Sequence, residues 1–381
     1  MKLIRFLRKV RQYFVRYDPL VVVLISKERL LGNLREYKNK YPKLKFAPVL
    51  KSNAYGHGLV LVAKILDNEG VPFLVLDSLY EAMILRNNGI KSDILIVGYT
   101  RSENIINSKL RRIAFTITSL DQLMEVSKIA SSKTKIHLKV DTGMHRQGIL
   151  PNQVGDAIEI IRESKFLELD GLCSHLADAD NANSSFTKIQ LVEWEKISYQ
   201  FRKNIPTIKF FHISATAGTF YGEQSSGNVV RLGIGLYGIN PSPITKINLK
   251  PVLEMRSIVS SLKKMRAGEC VGYNATYKAK KDLVIATIPV GYFEGVDWNL
   301  SNAGFLKIKN SYCPIVGRVS MNITSVDVTS VPNIKIGDEV VVVSGNSNDK
   351  NSVENMAGLV GTIPWVILSR VPQHLRRIVT N

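Results

Sequence analysis

Through the first two thirds of the chain, short apolar runs alternate with longer segments in which apolar residues recur every three or four positions. That pattern predicts parallel strands joined by crossover helices. The runs are Phe46 to Leu50, Phe73 to Asp77, Ile94 to Gly98, Ile113 to Ile117, Lys135 to Val140, Leu169 to His175, Ile208 to Ile213 and Val229 to Leu232. Amphipathic stretches lie between them, among them Leu59 to Asn68, Leu79 to Asn88, Leu120 to Ile129, Val154 to Ile161 and Phe186 to Phe201. Eight strand-helix units predict an α/β fold, a closed (β/α)8 TIM barrel. An earlier run, Leu20 to Ile25, followed by Ser26 as a helix cap, adds a leading strand and helix. After about residue 245 the period changes: Leu283 to Pro289, Phe305 to Lys309, Ile323 to Val328 and Glu339 to Ser344 read as strands separated by turns. A helical segment near Val353 to Leu359 and a final strand-like Ile367 to Val371 close the chain. The expected division is therefore a barrel over 18–245 and a mostly β domain over 246–381.

Residues 1–17 form a separate segment. Leu3, Ile4, Leu7, Val10, Phe14 and Tyr17 recur at helical spacing, with Arg5, Arg8, Lys9, Arg11 and Arg16 mostly between them. This predicts a basic amphipathic helix. It lacks the uninterrupted apolar region and small-residue cleavage site of a secretory signal. Weak contact with an anionic membrane surface is one reading, and packing on the body of the protein or on a second subunit is the other. The whole chain carries 51 Lys and Arg against 32 Asp and Glu, a formal +19. The excess is spread along its length without an aromatic-interleaved basic motif, so a nucleic-acid partner is not indicated. Three cysteines without metal-ligand spacing argue against a disulfide framework or a zinc site, and fit a reducing cytoplasm.

A barrel of this type places reactive groups at the C-terminal ends of its strands and often holds phosphate in the loops after strands seven and eight. Lys51 directly follows the first predicted strand, Arg146 lies in the loop after the fifth, His175 ends the sixth, and Arg231 lies near the end of the eighth. The loops Ser214-Ala215-Thr216-Ala217-Gly218 and Gly233-Ile234-Gly235 offer hydroxyls and small residues whose backbone N–H groups could cradle a phosphate. Lys51 is then free for another task, such as forming an imine with an aldehyde cofactor.

The string Lys51-Ser52-Asn53-Ala54-Tyr55-Gly56-His57-Gly58 resembles the cofactor-lysine motif of the alanine racemase family. Four further segments resemble that family in the same order: Leu138 to Gly148, Arg231 to Gly238, Gly272 to Tyr277 and Gly317 to Asn322. The likeness spans nearly all of the chain after about residue 18.

The resemblance implies a cytoplasmic homodimer whose active sites are each completed by the partner's β domain, with pyridoxal 5'-phosphate carried on Lys51. It implies interconversion of L-alanine and D-alanine, the latter for cell-wall peptidoglycan. Lys51 and Tyr273 would exchange protons on opposite faces of the substrate. A phenol is a reluctant base, and the family suggests His175 and Arg231 as the network that activates Tyr273. Arg231 would also face the cofactor ring nitrogen. Tyr55, Thr216, Gly233 and Ile234 would hold the phosphate. Arg146 would serve the cofactor hydroxyl and the substrate, the Met321 backbone the substrate carboxylate, and Tyr292 the gate. No metal is implied. Lys139 is either a carbamate carrier, as in some members, or a plain salt-bridged lysine, and His57 reads as structural support for the turn after Lys51. Several positions depart from the family pattern: His145 stands for a glycine, Ala215 for an asparagine, Asn322 for an aspartate, and Ser369 for a tyrosine found at the mouth in some members. His145 is expected to crowd the cofactor mouth. Racemisation of serine, lysine or a broader set is the nearest rival, and a non-catalytic carrier of the same cofactor is the rival from another class.

Overall fold

A computed structural model of the chain describes residues 18–381 except 182, 243 and 245, and the expected helix over 1–17 lies outside them. All eight predicted barrel runs form strands. After a leading strand β1 (Val22–Ser26) they are β2 (Lys45–Pro48), β3 (Leu74–Leu76), β4 (Ile94–Ile96), β5 (Ile113–Ile117), β6 (Thr134–Lys139), β7 (Leu167–Cys173), β8 (Phe210–His212) and β9 (Val229–Leu232). Strands β3 to β8 are hydrogen-bonded in sequence order, and β2 pairs in parallel with β9 from Lys45↔Val229 to Pro48↔Leu232. Single parallel bridges, Val49↔Val75 and Ala215↔Arg231, join these two sets. Each strand thus has two neighbours and the ring closes as a TIM barrel. Its interior is lined by small and branched residues, including Ala47, Val75, Leu95 and Ala114, with Phe73 filling the base.

Serine caps set several helix starts. Ser26 accepts from Arg29 N ahead of Lys27–Lys40, and Ser119 accepts from Gln122 N ahead of Leu120–Ile129. Ser78 and Glu81 form a reciprocal capping box before Leu79–Asn87.

The second sheet runs in the order Ser311–Pro314, Phe305–Ile308, Glu339–Val343, Leu253–Ile258, β1, Arg376–Thr380. A three-stranded sheet of Ser261–Met265, Leu283–Ile288 and Thr324–Asp327 accompanies it. Two features differ from the sequence reading. The leading strand belongs to this second sheet rather than to the barrel, because its fully buried Val23 and Ile25 lie on one face of it. The strand expected over Ile367 to Val371 is part of a helix, Pro364–Ser369. Proline at the first helical position favours that outcome, and a short buried apolar run by itself does not distinguish strand from helix.

By contact density the chain forms two compact units. One holds residues 25–253, 345–373 and 379–381, and the other 18–24, 254–344 and 374–378. In the first unit Arg29 Nη1 donates to both Pro251 O (3.0 Å) and Gly345 O (2.7 Å), stapling the point where the chain leaves the barrel to the point where it returns. Among the described residues no helix is long and apolar enough to cross a membrane.

Candidate active site

Lys51 opens a turn that the backbone resists. Ser52, Asn53, Ala54 and Tyr55 have φ between +52° and +57°, a left-handed helical turn built without glycine. Each such residue costs about 1–2 kcal/mol, so the turn persists only because its surroundings over-determine it. Glu81 accepts from Ser52 N (2.8 Å) and Asp77 N (2.8 Å), and Asn53 Oδ1 accepts from Leu59 N (2.9 Å). Buried His57 faces the carbonyls of Ala54 and Tyr55 with Nδ1, both at 3.0 Å, so that nitrogen carries the proton and pins the turn. At Gly56 (φ +81°) a Cβ would sit 2.0 Å from Leu368 O, so the turn also needs glycine where the Pro364–Ser369 helix crosses it.

Arg231, buried to 8% exposure, is the electrostatic centre of the barrel mouth. Its Nη1 donates to His212 Nδ1 (2.6 Å) and His212 O (2.6 Å). Its Nη2 donates to Ser174 O (2.7 Å), Ile213 O (3.0 Å) and His175 Nδ1 (3.0 Å). A guanidinium has no acceptor, so both imidazoles present a lone pair at Nδ1 and carry their proton on Nε2. His212 Nε2 then donates to His137 Nδ1 (2.8 Å), extending the chain to a third ring. Burial, reinforced by Arg231, pushes His175 down to about 3 and holds His212 well below the ordinary histidine range. Burial is also the main cause that lowers His137 to about 4. All three rings are neutral near pH 7.

The His137 ring meets Phe73 edge-on at 5.4 Å and stacks on Phe210 at 5.9 Å. Gly171 makes room for it: a register shift between β6 and β7 pairs Gly171 with His137, and a Cβ there would come within 2.5 Å of Nδ1.

These groups open on a cavity of ≈ 890 Å³ lined by Lys51, Tyr55, Arg146, His175, Thr216, Arg231, Gly233 and Ile234, all from the C-terminal ends of the strands and the loops after them. At one side Thr216 Oγ1 accepts from Gly233 N (3.0 Å) and Gly235 N (3.3 Å), which directs its hydroxyl proton elsewhere. Tyr55 Oη lies beside Gly233, where a Cβ would approach it to 2.9 Å. Burial raises Tyr55 to about 12, so it stays a protonated donor. Lys139 also lines the cavity and donates to Gln147 Oε1 (3.2 Å), its pKa lowered by burial and by Arg146 and Arg231. Two hydroxyl donors beside a glycine-lined backbone, with four cationic side chains around one space, make a pocket for an anionic ligand.

Tyr273, Tyr292 and Met321 belong to the other compact unit, where they are 69%, 45% and 55% exposed. Their segments adjoin one another. Tyr292 N donates to Ser320 O (3.1 Å) and Phe293 N to Met321 O (2.9 Å), while a Cβ on Gly291 would lie 2.1 Å from Ser320 O. Buried Glu294 accepts from Gly291 N (2.8 Å) and Asn322 Nδ2 (2.6 Å). Asn322 therefore gives Glu294 a donor where an aspartate would set two carboxylates face to face.

His145 does not line the cavity; its side chain is mostly exposed and pairs with Asp141 at 3.4 Å. Its φ of +54° is a conformation that glycine adopts freely, and Asp141 Oδ1 stabilises it by accepting from Gly143 N and His145 N. Sequence reasoning missed His137 and His212, which read as ordinary strand positions. The available signal was the HLK pattern, in which His137 and Lys139 share a strand face two residues apart. It also missed Trp365 and Val366, which reach the cavity from a segment read as β domain, as does Ser369.

Two families match the chain: "Alanine racemase, N-terminal domain" over residues 25–241 and "Alanine racemase, C-terminal domain" over residues 252–379. An alanine racemase of Methanococcus maripaludis is 34% identical over 362 residues, 93% of this chain and 97% of that relative. One from Caldanaerobacter subterraneus is 36% identical over 359 residues, covering 92% of each. Among solved structures, alanine racemase from Clostridium difficile superposes with a TM-score of 0.88 at 30% identity, over 96% of this chain and 97% of that one. The Bacillus anthracis alanine racemase with bound L-Ala-P gives 0.87 at 27% identity, over 96% of both.

Proposed function

The chain belongs to the alanine racemase family, and on that premise we propose that it interconverts L-alanine and D-alanine using pyridoxal 5'-phosphate, with Lys51 and Tyr273 exchanging protons on opposite faces of the substrate. The observation that supports this most is the gathering of Lys51, Arg231 and the Thr216–Tyr55–Gly233 cradle around one cavity.

The residues present fit the cofactor. Thr216, Tyr55 and the backbone at Gly233 and Ile234 would hold its phosphate, Lys51 its aldehyde carbon, Arg146 its hydroxyl side and Arg231 its ring nitrogen. Bound there, it would supply the electron sink that lets an otherwise weakly acidic α-carbon proton leave. Lys51 would move that proton on one face and Tyr273 on the other. His175 has Nδ1 committed to Arg231, so its Nε2–H is the donor it can offer to the Tyr273 oxygen. Arg231 presents donors that do not readily give up their protons, which discourages proton delivery anywhere but the α-carbon and so limits transamination.

Tyr273, Tyr292 and Met321 are exposed on adjoining segments of the β unit, as expected of groups that complete a site in a second copy of the chain. The homodimer, a cytoplasmic location and supply of D-alanine for peptidoglycan are parts of the same proposal.

The test is complementation. Lys51→Ala and Tyr273→Phe proteins are each expected to be inactive in alanine racemisation, the first without the cofactor's protein-bound absorbance. After subunit exchange, half of the dimers at most carry one intact site, so activity should return to at most roughly a quarter of the parent value. No recovery despite confirmed exchange would defeat the shared site.

A further inference from the structure

The Tyr273 loop is strained and held by little hydrogen bonding of its own. Gly272, Asn274 and Ala275 have φ of +70°, +60° and +48°; within the loop Ala275 N donates to Gly272 O at 3.3 Å, and the flanking pairs Cys270↔Lys278 and Val271↔Tyr277 are continued by Ala279 N to Glu269 O and Gly268 N to Ala279 O, both 2.8 Å. Alanine in that conformation is unfavourable, so neighbouring contacts must hold the loop in place. Asn302, itself at φ +57°, makes such a contact. Its Oδ1 accepts from Gly317 N (2.7 Å), and its Nδ2 donates to Thr276 Oγ1 (3.2 Å) and approaches Thr276 O (3.5 Å). One amide thereby ties the Tyr273 loop to the segment leading to Met321. Ser301 Oγ, next in the chain, accepts from Val319 N (3.0 Å) and fastens the same segment again. The orientation of the amide is fixed, because Gly317 N can only donate and therefore faces the oxygen.

We propose that Asn302 is a positioning residue for Tyr273, setting through Thr276 where the phenol stands when it exchanges the α-proton. The inference rests on Tyr273 being the proton-exchanging group of one face. Asn302 touches no reacting atom. Its contribution is confined to the Tyr273 face, so the proton exchanged by Lys51 is outside its reach. A residue that merely stabilised the fold would slow both faces together.

Asn302→Asp, made in the Thr276→Val background so that the threonine hydroxyl cannot donate back to the new carboxylate, separates the two arms: it keeps the acceptor for Gly317 N and tolerance of positive φ, but removes the donor to residue 276. Thr276→Val removes the side-chain acceptor from the other end. Single-turnover deuterium exchange at the α-carbon, started from each enantiomer of alanine in cofactor-loaded protein, reads the two faces separately. Both variants should slow exchange on the Tyr273 face by about three- to tenfold, the worth of one hydrogen bond, and leave the Lys51 face near the parent rate. Amide exchange of residues 272–278, with or without cofactor, should rise in both while melting temperature holds. Tyr273→Phe is run alongside. If it slows one face and the two variants slow neither, or both equally, the positioning role is overturned and the two-base reading stands. If Tyr273→Phe itself slows the faces equally, both fall.

Discussion

Replacing Gly171 by alanine tests the buried histidine chain with the smallest change available. The new Cβ would stand 2.5 Å from His137 Nδ1, 2.6 Å from Cε1 and 2.8 Å from Cγ, all inside van der Waals contact. His137 is 1% exposed and confined by Phe73 and Phe210, so the ring cannot step aside without disturbing them. Overpacking of this kind costs about 1–3 kcal/mol. Moving the ring also breaks its 2.8 Å bond with His212 Nε2, and a buried polar group left unmatched costs about 1–3 kcal/mol more. The expected loss is about 2–6 kcal/mol, which at about 2–4 °C per kcal/mol for a body of this size lowers the melting temperature by at least about 4 °C. The assay is thermal unfolding by circular dichroism of the parent, Gly171→Ala, His137→Ala and the double variant. Since His137→Ala removes the ring that the methyl strikes, Gly171→Ala should cost less than about 1 kcal/mol in that background. A full cost in both backgrounds, or almost none in the parent, would refute the clash as the cause.

Stability should fall as the solution is acidified below about pH 6.5: His175 and His137 have folded pKa values near 3 and 4, below the ordinary value, so the unfolded chain binds more protons in that window. Each contributes a slope of at most about 1.4 kcal/mol per pH unit, lost progressively towards pH 4, and His137→Gln should flatten the curve measured by denaturant titration; an unchanged slope would count against burial of a neutral ring. Gly233→Ala places a Cβ 2.9 Å from Tyr55 Oη and should weaken pyridoxal 5'-phosphate binding by about tenfold in an absorbance titration with little change in melting temperature, and unaltered affinity would argue against the cradle.

The barrel was legible because each of its strands is a short apolar run bounded by helical periodicity, a signal that needs no knowledge of tertiary contacts. The leading strand was misplaced for the opposite reason: pairing partners hundreds of residues away decide which sheet takes it, and local pattern carries no such information. Lys51, Arg231 and the strand-end loops could be found because barrel topology fixes the end at which polar residues gather. The strain at Ser52 to Tyr55 could not, since Ser52, Ala54 and Tyr55 are of types that ordinarily avoid left-handed backbone and Asn53 alone does not announce a whole turn of it. His137 and His212 escaped notice because a buried strand histidine has the same local pattern whether it is packing or part of a polar chain. Asn302 was hidden in the same way, its role appearing only when residues 276 and 317 are brought together.

The Arg29 staple bears on how this architecture could be rebuilt. With the carbonyls of residues 251 and 345 bound to a single guanidinium nitrogen, the severed ends of the first unit would lie within reach of a very short linker. The stretch 254–344, taken with the 18–24 and 374–378 segments that share its sheet, is in effect an insert, removable by splicing rather than by truncation. A chain cut off at residue 245 would instead discard the helix that Gly56 was shaped to admit, leaving the lysine turn without one of its walls.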